Sequence, residues 1–271
     1  MSTVIPVPGV PHQPGVPDRL VVALRELAAT ERLLVALDFD GTLAPEVDEP
    51  ARARALPEAR EAVLRLLALP GTRVALVSGR ALESLEEVAQ LPDEALLVGS
   101  HGVEIRLDPD EDAVRLDPSE QARVDVLEDV LKGIARGIDN VWIEDKPAGF
   151  ALHTRLATDR HSRVAHVVAL SEARAEVEGV HVREGKNVLE FSVRSTTKGE
   201  AVEHLRRYTG ATAVLYAGDD VTDEDAFAVM RTGDVGIKSG EGTTSAGYRV
   251  RGPEQVAHAL SLLAEFRSAT D

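Results

Sequence analysis

Two aspartates one residue apart open the run Asp38-Phe39-Asp40-Gly41-Thr42-Leu43. They follow Leu33-Leu34-Val35-Ala36-Leu37, a short apolar run of the kind needed by a strand buried on both faces of a parallel sheet. Open α/β sheets bind ligands at the carboxyl ends of their strands. Two carboxylates placed there, ahead of a glycine that lets the chain turn, suit a catalytic pocket mouth. The same residues also suit a plain turn, Asp40-Gly41 being a common turn pair. Ser78-Gly79-Arg80 closes a second apolar run just ahead of a helical pattern, where a hydroxyl and free backbone N–H groups make an anion site. Lys198-Gly199 opens a later helix and supplies a cation near the same edge. Asp219, Asp220, Asp223, Glu224 and Asp225 crowd one strand end. Their repulsion is relieved by a bound cation, or the acids simply complement a helix N-terminus. A calcium loop is excluded, because the central glycine and the distal glutamate are missing.

The elements that position these residues read as helix 18–30 with Asp18 as N-cap, strand 33–37, helix 57–69, strand 73–77, helix 81–90 and strand 95–98. Alternation of this kind predicts a doubly wound α/β parallel sheet. After residue 107 the rhythm changes. An Asp- and Pro-rich stretch, 108–118, precedes helix 119–136, strands 141–145 and 150–155, helix 159–176, and strands 180–183 and 188–193. Helix-strand-strand repeated twice is an α+β insert. The first rhythm resumes with helix 198–208, strand 213–217, helix 223–230 and a last helix 253–266. The chain is therefore expected to hold a flexible proline-rich tail (1–17), a core split into 18–107 and 194–271, and an inserted cap domain (108–193). Trp142 is expected in the core.

Aromatic residues make up only 3% of the chain, so the core must be built mainly from Leu, Val and Ala. The net charge of -16, from 46 acidic and 30 basic residues, without a basic cluster, argues against a nucleic-acid partner. The absence of cysteine removes disulfides, thiolate metal sites and cysteine nucleophiles. No apolar run approaches the ~20 residues that span a bilayer. With no basic-then-apolar leader at its start, the protein is expected to be cytoplasmic, without a membrane partner, and monomeric.

In chain order, Asp-x-Asp-Gly-Thr, then Ser78, then Lys198, then Gly218-Asp219-Asp220 stand at successive strand ends. This set resembles the motifs of the haloacid dehalogenase superfamily, and the competing phosphate-binding motifs are absent. Gly99-Ser100-His101-Gly102, Glu144-Asp145-Lys146, Leu189-Glu190 and the stretch from Gly218 to Phe227 are further similar to the trehalose-6-phosphate phosphatases. That resemblance runs from about residue 33 to 266 and includes the cap. The chain departs from it at Phe39, where the family has Tyr, and after Glu190, where Phe191-Ser192-Val193-Arg194 stands in place of Arg-Pro.

The resemblance implies a Rossmann-like core and a Mg²⁺ ion held by the carboxylates of Asp38 and Asp219 and the backbone carbonyl of Asp40. It implies Asp38 as nucleophile, Asp40 as general acid and base, and Ser78 and Lys198 on the phosphate, with Asp220 and Asp223 orienting Lys198 and the metal waters. The sugar phosphate would be read by Glu144, Lys146 and Glu190 from the cap, and by Arg80, Ser100 and His101 from the core. Other outcomes of the same motifs are a phosphatase for another sugar phosphate or pseudo-disaccharide phosphate, a phosphotransferase, or an inactive sugar-phosphate-binding homologue.

Overall fold

The computed structural model describes residues 15–107, 116–194 and 196–269. Most of the expected tail (1–14) and of the Asp/Pro-rich linker (108–115) therefore lies outside the described residues.

The core is a seven-stranded sheet in the order β11-β10-β9-β1-β2-β3-β4. Its strands are β1 (Leu33–Leu37), β2 (Thr72–Val77), β3 (Leu96–Gly99), β4 (Glu104–Arg106), β9 (Ala213–Gly218), β10 (Val235–Ser239) and β11 (Tyr248–Val250). All pair in parallel except β3 with β4. Every residue of β1 is buried, and its alternating side chains enter two cores. Leu33, Val35 and Leu37 pack under α1 (Asp18–Ala28), α2 (Pro57–Leu67), α3 (Leu82–Ala89) and α8 (Pro253–Ser268). Leu34 and Ala36 pack under α6 (Lys198–Thr209) and α7 (Asp223–Ala228). This is the period of two of a strand covered on both faces. β1 lies between β2, which follows it, and β9, which the chain reaches only after the insert, so the winding reverses beside β1 and opens a crevice at the carboxyl ends of the three strands. The Arg267 guanidinium fastens the far end of α8, donating to the carbonyls of Ala28, Thr30 and Gly71 and to Thr72 Oγ1.

The insert forms a four-stranded antiparallel sheet, β5-β6-β8-β7, from β5 (Trp142–Lys146), β6 (Gly149–His153), β7 (His181–Gly185) and β8 (Val188–Ser192). α4 (Pro118–Gly137) and α5 (Asp159–Glu176) cover one face. Leu127 and Leu131 of α4 and the stripe Ala165, Ala169 and Ala173 of α5 meet Phe150, Leu152, Leu189 and Phe191 there. Asp117 and Glu120 form a capping box that starts α4, and Thr158 caps α5, each satisfying backbone donors the helix cannot. The opposite face carries Trp142, Glu144, Lys146, His153, Arg183, Glu190 and Ser192, by the same alternation.

Three expectations change. Trp142 is not in the core: it is half-buried on the polar face of the cap sheet, stacked on His153. Asp18 is the first residue of α1 and not its cap, which is Pro17. It complements the positive helix end without a cap hydrogen bond. The sheet also gains β4, β10 and β11, too short or too interrupted by Gly236 and Lys238 to show an apolar run. Among the described residues, no helix is long and apolar enough to cross a membrane.

Candidate active site

The strand ends converge as the sheet order requires. Asp38 follows β1 with its side chain buried, and its Oδ1 accepts from Lys198 Nζ at 2.8 Å. Lys198 is the first residue of α6, whose Thr197–Glu200 capping box fixes where the helix begins. Its ammonium also donates to Asp223 Oδ1 at 2.7 Å. Asp223 is fully buried and takes two more donors, Tyr216 Oη at 2.6 Å and Asp220 N at 2.8 Å. It is thus the hub that orients the lysine, whereas Asp220 contributes its main chain and accepts from Thr222 with its carboxylate. Ser78, also buried, follows β2, and its Oγ accepts from Arg80 N at 3.2 Å.

Asp219 meets the Asp38 loop across a contact only glycine permits. Gly41 has φ +73°, and a Cβ there would lie 2.1 Å from Asp219 Oδ2. Carboxylate oxygens of Asp38, Asp219 and Asp223 come within 4.8 Å of one another. Burial, then repulsion from Asp223 and Asp220, pushes Asp219 up to about 6 against the pull of Lys198. Burial, with Asp223 and Asp219 nearby, likewise raises Asp38 well above the carboxylate range, opposed by Lys198. Burial alone would lower Lys198, but Asp38 and Asp223 outweigh it and hold the amine above its ordinary value. Crowded hard-oxygen donors whose charges repel suit a divalent cation. Asp38 and Asp219 fit as its ligands, since Asp223 has both oxygens engaged by Lys198, Tyr216 and Asp220. The carboxylate of Asp40 is turned elsewhere, so its expected part in the cation site rests on its carbonyl alone.

Arg80 holds Asp40 bidentately, Nε to Oδ2 and Nη2 to Oδ1, each at 2.6 Å. Both groups expected to meet substrate are thus paired with each other. Ser100 is also committed: its hydroxyl donates to buried Glu104 at 2.6 Å, and Glu104 further accepts from the first amide of α3. Ser100, His101 and Gly102 all have positive φ, which presses the His101 ring over Gly79. A Cβ on Gly79 would fall 2.6 Å from that ring. His101 Nδ1 is buried without a partner. Burial, then the charges of Arg183 and Lys198, lower this histidine to about 4.

Its titration has a stability consequence. The folded state resists a proton that the unfolded chain takes up near 6.5, so stability falls as pH drops through 6.5 and levels off below about 4. His101→Asn, a residue that tolerates positive φ, should remove up to about 3 kcal/mol of that acid-side loss. Urea denaturation of both proteins at pH 7 and pH 4.5 checks it.

The cap sheet presents Glu144 and Lys146 to the same cleft, of about 1160 Å³, that is lined by Asp38, Asp40, Ser78 and Lys198. Glu190 lines an adjoining cavity of about 170 Å³ at the seam with the core, together with Ser100, Lys146 and Arg183. Sequence reasoning missed Tyr216, hidden in the apolar run of β9. It missed Lys238 of β10, whose ammonium donates to the carbonyls of Asp219 and Asp220. It also missed Ser239, which donates to the Gly41 carbonyl at 2.8 Å. A lysine directly after Val235-Gly236-Ile237 was the one available signal.

A parallel-sheet core with an inserted antiparallel cap, and acids gathered at the strand ends between them, defines the haloacid dehalogenase-like fold class. Within it, the trehalose-6-phosphate phosphatase C-terminal domain of Candida albicans superposes with a TM-score of 0.71 at 24% identity, covering 93% of this chain and 98% of that one. The family model for trehalose-phosphatase matches residues 36–254, and the chain belongs to that family. A trehalose-phosphate phosphatase from Mycobacterium avium is 34% identical over 85% of this chain and 62% of its own length. A bifunctional trehalose-6-phosphate synthase/phosphatase from Thermoproteus tenax is 35% identical over 83% of this chain and 31% of its own length. The chain thus spans less than two thirds of these relatives.

Proposed function

We propose that this chain is a phosphoric monoester hydrolase that converts trehalose 6-phosphate to trehalose and inorganic phosphate through a phosphoaspartyl intermediate on Asp38. The observation that carries the reading is the convergence of Asp38, Asp40, Ser78, Lys198 and Asp219 on one cleft that Glu144 and Lys146 also line. An inactive binding homologue has no need of that constellation. The Asp38 carboxylate attacks phosphorus as the bond from phosphorus to the sugar oxygen breaks. Asp40 protonates the departing oxygen, then takes a proton from the water that hydrolyses the phosphoaspartate. To do so it must exchange its bidentate pairing with Arg80, and the incoming phosphate offers that guanidinium another anion. Ser78 and Lys198 hold the phosphate oxygens, where donors already in place stabilise charge that grows in the transition state. Asp38 and Asp219 would hold Mg²⁺, which when bound neutralises phosphate charge.

The cap supplies selectivity. Glu144, Ala151, Glu190 and Arg183 form one register row across its four strands. A small residue therefore separates two carboxylates, a notch with acceptors on both sides for sugar hydroxyls. The net charge of -16 does not bar an anionic substrate, because Lys198, Arg80 and Lys146 act at contact distance while remote charge is screened beyond about 8 Å. Phosphate release by the purified protein from trehalose 6-phosphate, with and without Mg²⁺, tests the reading. Release that requires the ion is expected, and no release in its presence would refute it.

A further inference from the structure

On the polar face of the cap, Glu144 is about half exposed, its side chain retaining 49% of its free surface, yet both its oxygens are occupied. Oε1 accepts from Lys146 Nζ at 2.6 Å and Oε2 lies 2.7 Å from His153 Nε2. An ionised carboxylate only accepts, so Nε2 is the nitrogen that carries the hydrogen. The Glu144 carboxyl is indeed held below its usual range: burial would raise it, and the hydrogen bonds from Lys146 and His153 prevail. His153 stands directly opposite Trp142 across the β5–β6 pair. The two rings stack with centroids 5.0 Å apart and planes 11° from parallel. The Arg155 guanidinium lies 5.2 Å from the centre of the same indole. Arg155, Trp142, His153 and Glu144 thus form a continuous chain of contacts that ends at the cleft.

We propose that His153 is a positioning residue, held flat by Trp142, that fixes the Glu144 carboxylate in the orientation in which it receives the sugar. Three rotatable bonds make a half-exposed glutamate costly to order. A side chain already fixed before substrate arrives spares binding that cost. Each carboxylate oxygen has a further lone pair for a hydroxyl, so the support does not occupy the recognition site. The indole ring already contacts His153 and Arg155, which makes Trp142 a support and not a surface for the sugar. This inference rests on the reading of Glu144 as a sugar contact, and the test separates the two.

Steady-state kinetics of the full chain with trehalose 6-phosphate and with p-nitrophenyl phosphate decide it. His153→Phe keeps the stacked ring and removes the donor. It should raise KM for trehalose 6-phosphate about tenfold, while the rate on p-nitrophenyl phosphate stays within about twofold. His153→Gln, which restores a donor, should recover most of the loss. In a Glu144→Ala background His153→Phe should add nothing, because its effect acts through that carboxylate. An unchanged KM in His153→Phe beside a raised KM in Glu144→Ala overturns the positioning role and leaves the sugar reading standing. A KM unmoved by Glu144→Ala removes the sugar reading, and the positioning role with it. Equal losses on both substrates would mean general damage to the fold and also overturn the proposal.

Discussion

Asp38→Asn should lower kcat for phosphate release by a factor on the order of 10⁴ or more, and should do so without unfolding the protein. The amide has the shape of the carboxylate but cannot attack phosphorus. Its effect on stability follows from the surroundings. Asp38 is buried within reach of Asp219 and Asp223, and its pKa is raised in the folded state by burial first and by those acids after it. A carboxyl whose folded pKa exceeds its unfolded value stabilises fully below the unfolded pKa and loses that contribution as pH rises through the folded one. Ionising Asp38 as pH rises therefore costs folding stability, a cost that the amide does not incur. Lys198 keeps Asp223 as its partner at 2.7 Å. The melting temperature of Asp38→Asn in metal-free buffer at pH 7.5 should match or exceed that of the wild type. Turnover near the wild-type rate would contradict the nucleophile assignment.

Lys198→Met should be damaging twice over. The ammonium is 2% exposed and bridges two buried carboxylates. Its removal leaves Asp38 and Asp223 to repel each other in a medium that solvates neither. Breaking such a buried pair costs about 3–5 kcal/mol. The deficit has a pH signature: Asp38, already raised by burial and its acidic neighbours, is raised further without the cation, so stability lost at pH 8 is partly recovered as it protonates toward pH 5. Urea denaturation of wild type and variant across that interval measures it, and a deficit that does not shrink toward pH 5 would place the role of Lys198 elsewhere. For turnover the loss should be on the order of 10³ in kcat, the scale on which a single fixed donor to a transition-state oxygen acts. Asp223→Asn should be milder, since an amide can still accept from Lys198.

How far the sequence foretold this arrangement depends on how each residue is held. β1 was legible because five consecutive apolar residues have one natural place, the middle of a parallel sheet, and that place put Asp38 at a ligand-binding edge. The cap was legible because its helices carry their own caps and amphipathic faces, so α5 begins and ends where its pattern does. β4, β10 and β11 were not. Three-residue strands and a strand containing Gly236 and Lys238 owe their conformation to neighbours in the sheet, which no local pattern records. Trp142 was misplaced for a related reason: apolar bulk argued for a core, but strand alternation from Ile143, which packs against the cap core, sends its neighbour to the polar face.

Site residues followed the same division. Asp38, Lys198 and Asp223 come together because backbone topology alone brings the end of β1 to the first turns of α6 and α7. The pairing of Arg80 with Asp40, the commitment of Ser100 to Glu104 and the bond from Tyr216 to Asp223 are side-chain choices among several reachable partners. They depend on register and rotamer, and spacing in the chain carries neither.

If the core carries the phosphoryl chemistry and the cap recognises the disaccharide, comparison of substrates tests that division most directly. The decisive quantity is the ratio of kcat/KM for trehalose 6-phosphate to that for glucose 6-phosphate, measured on the purified full chain with Mg²⁺ present. Two carboxylates and a lysine reading hydroxyls of a sugar that the smaller substrate lacks should yield a ratio of about 100 or more. A ratio near one would contradict the account, leaving a phosphatase whose cap does not read the sugar.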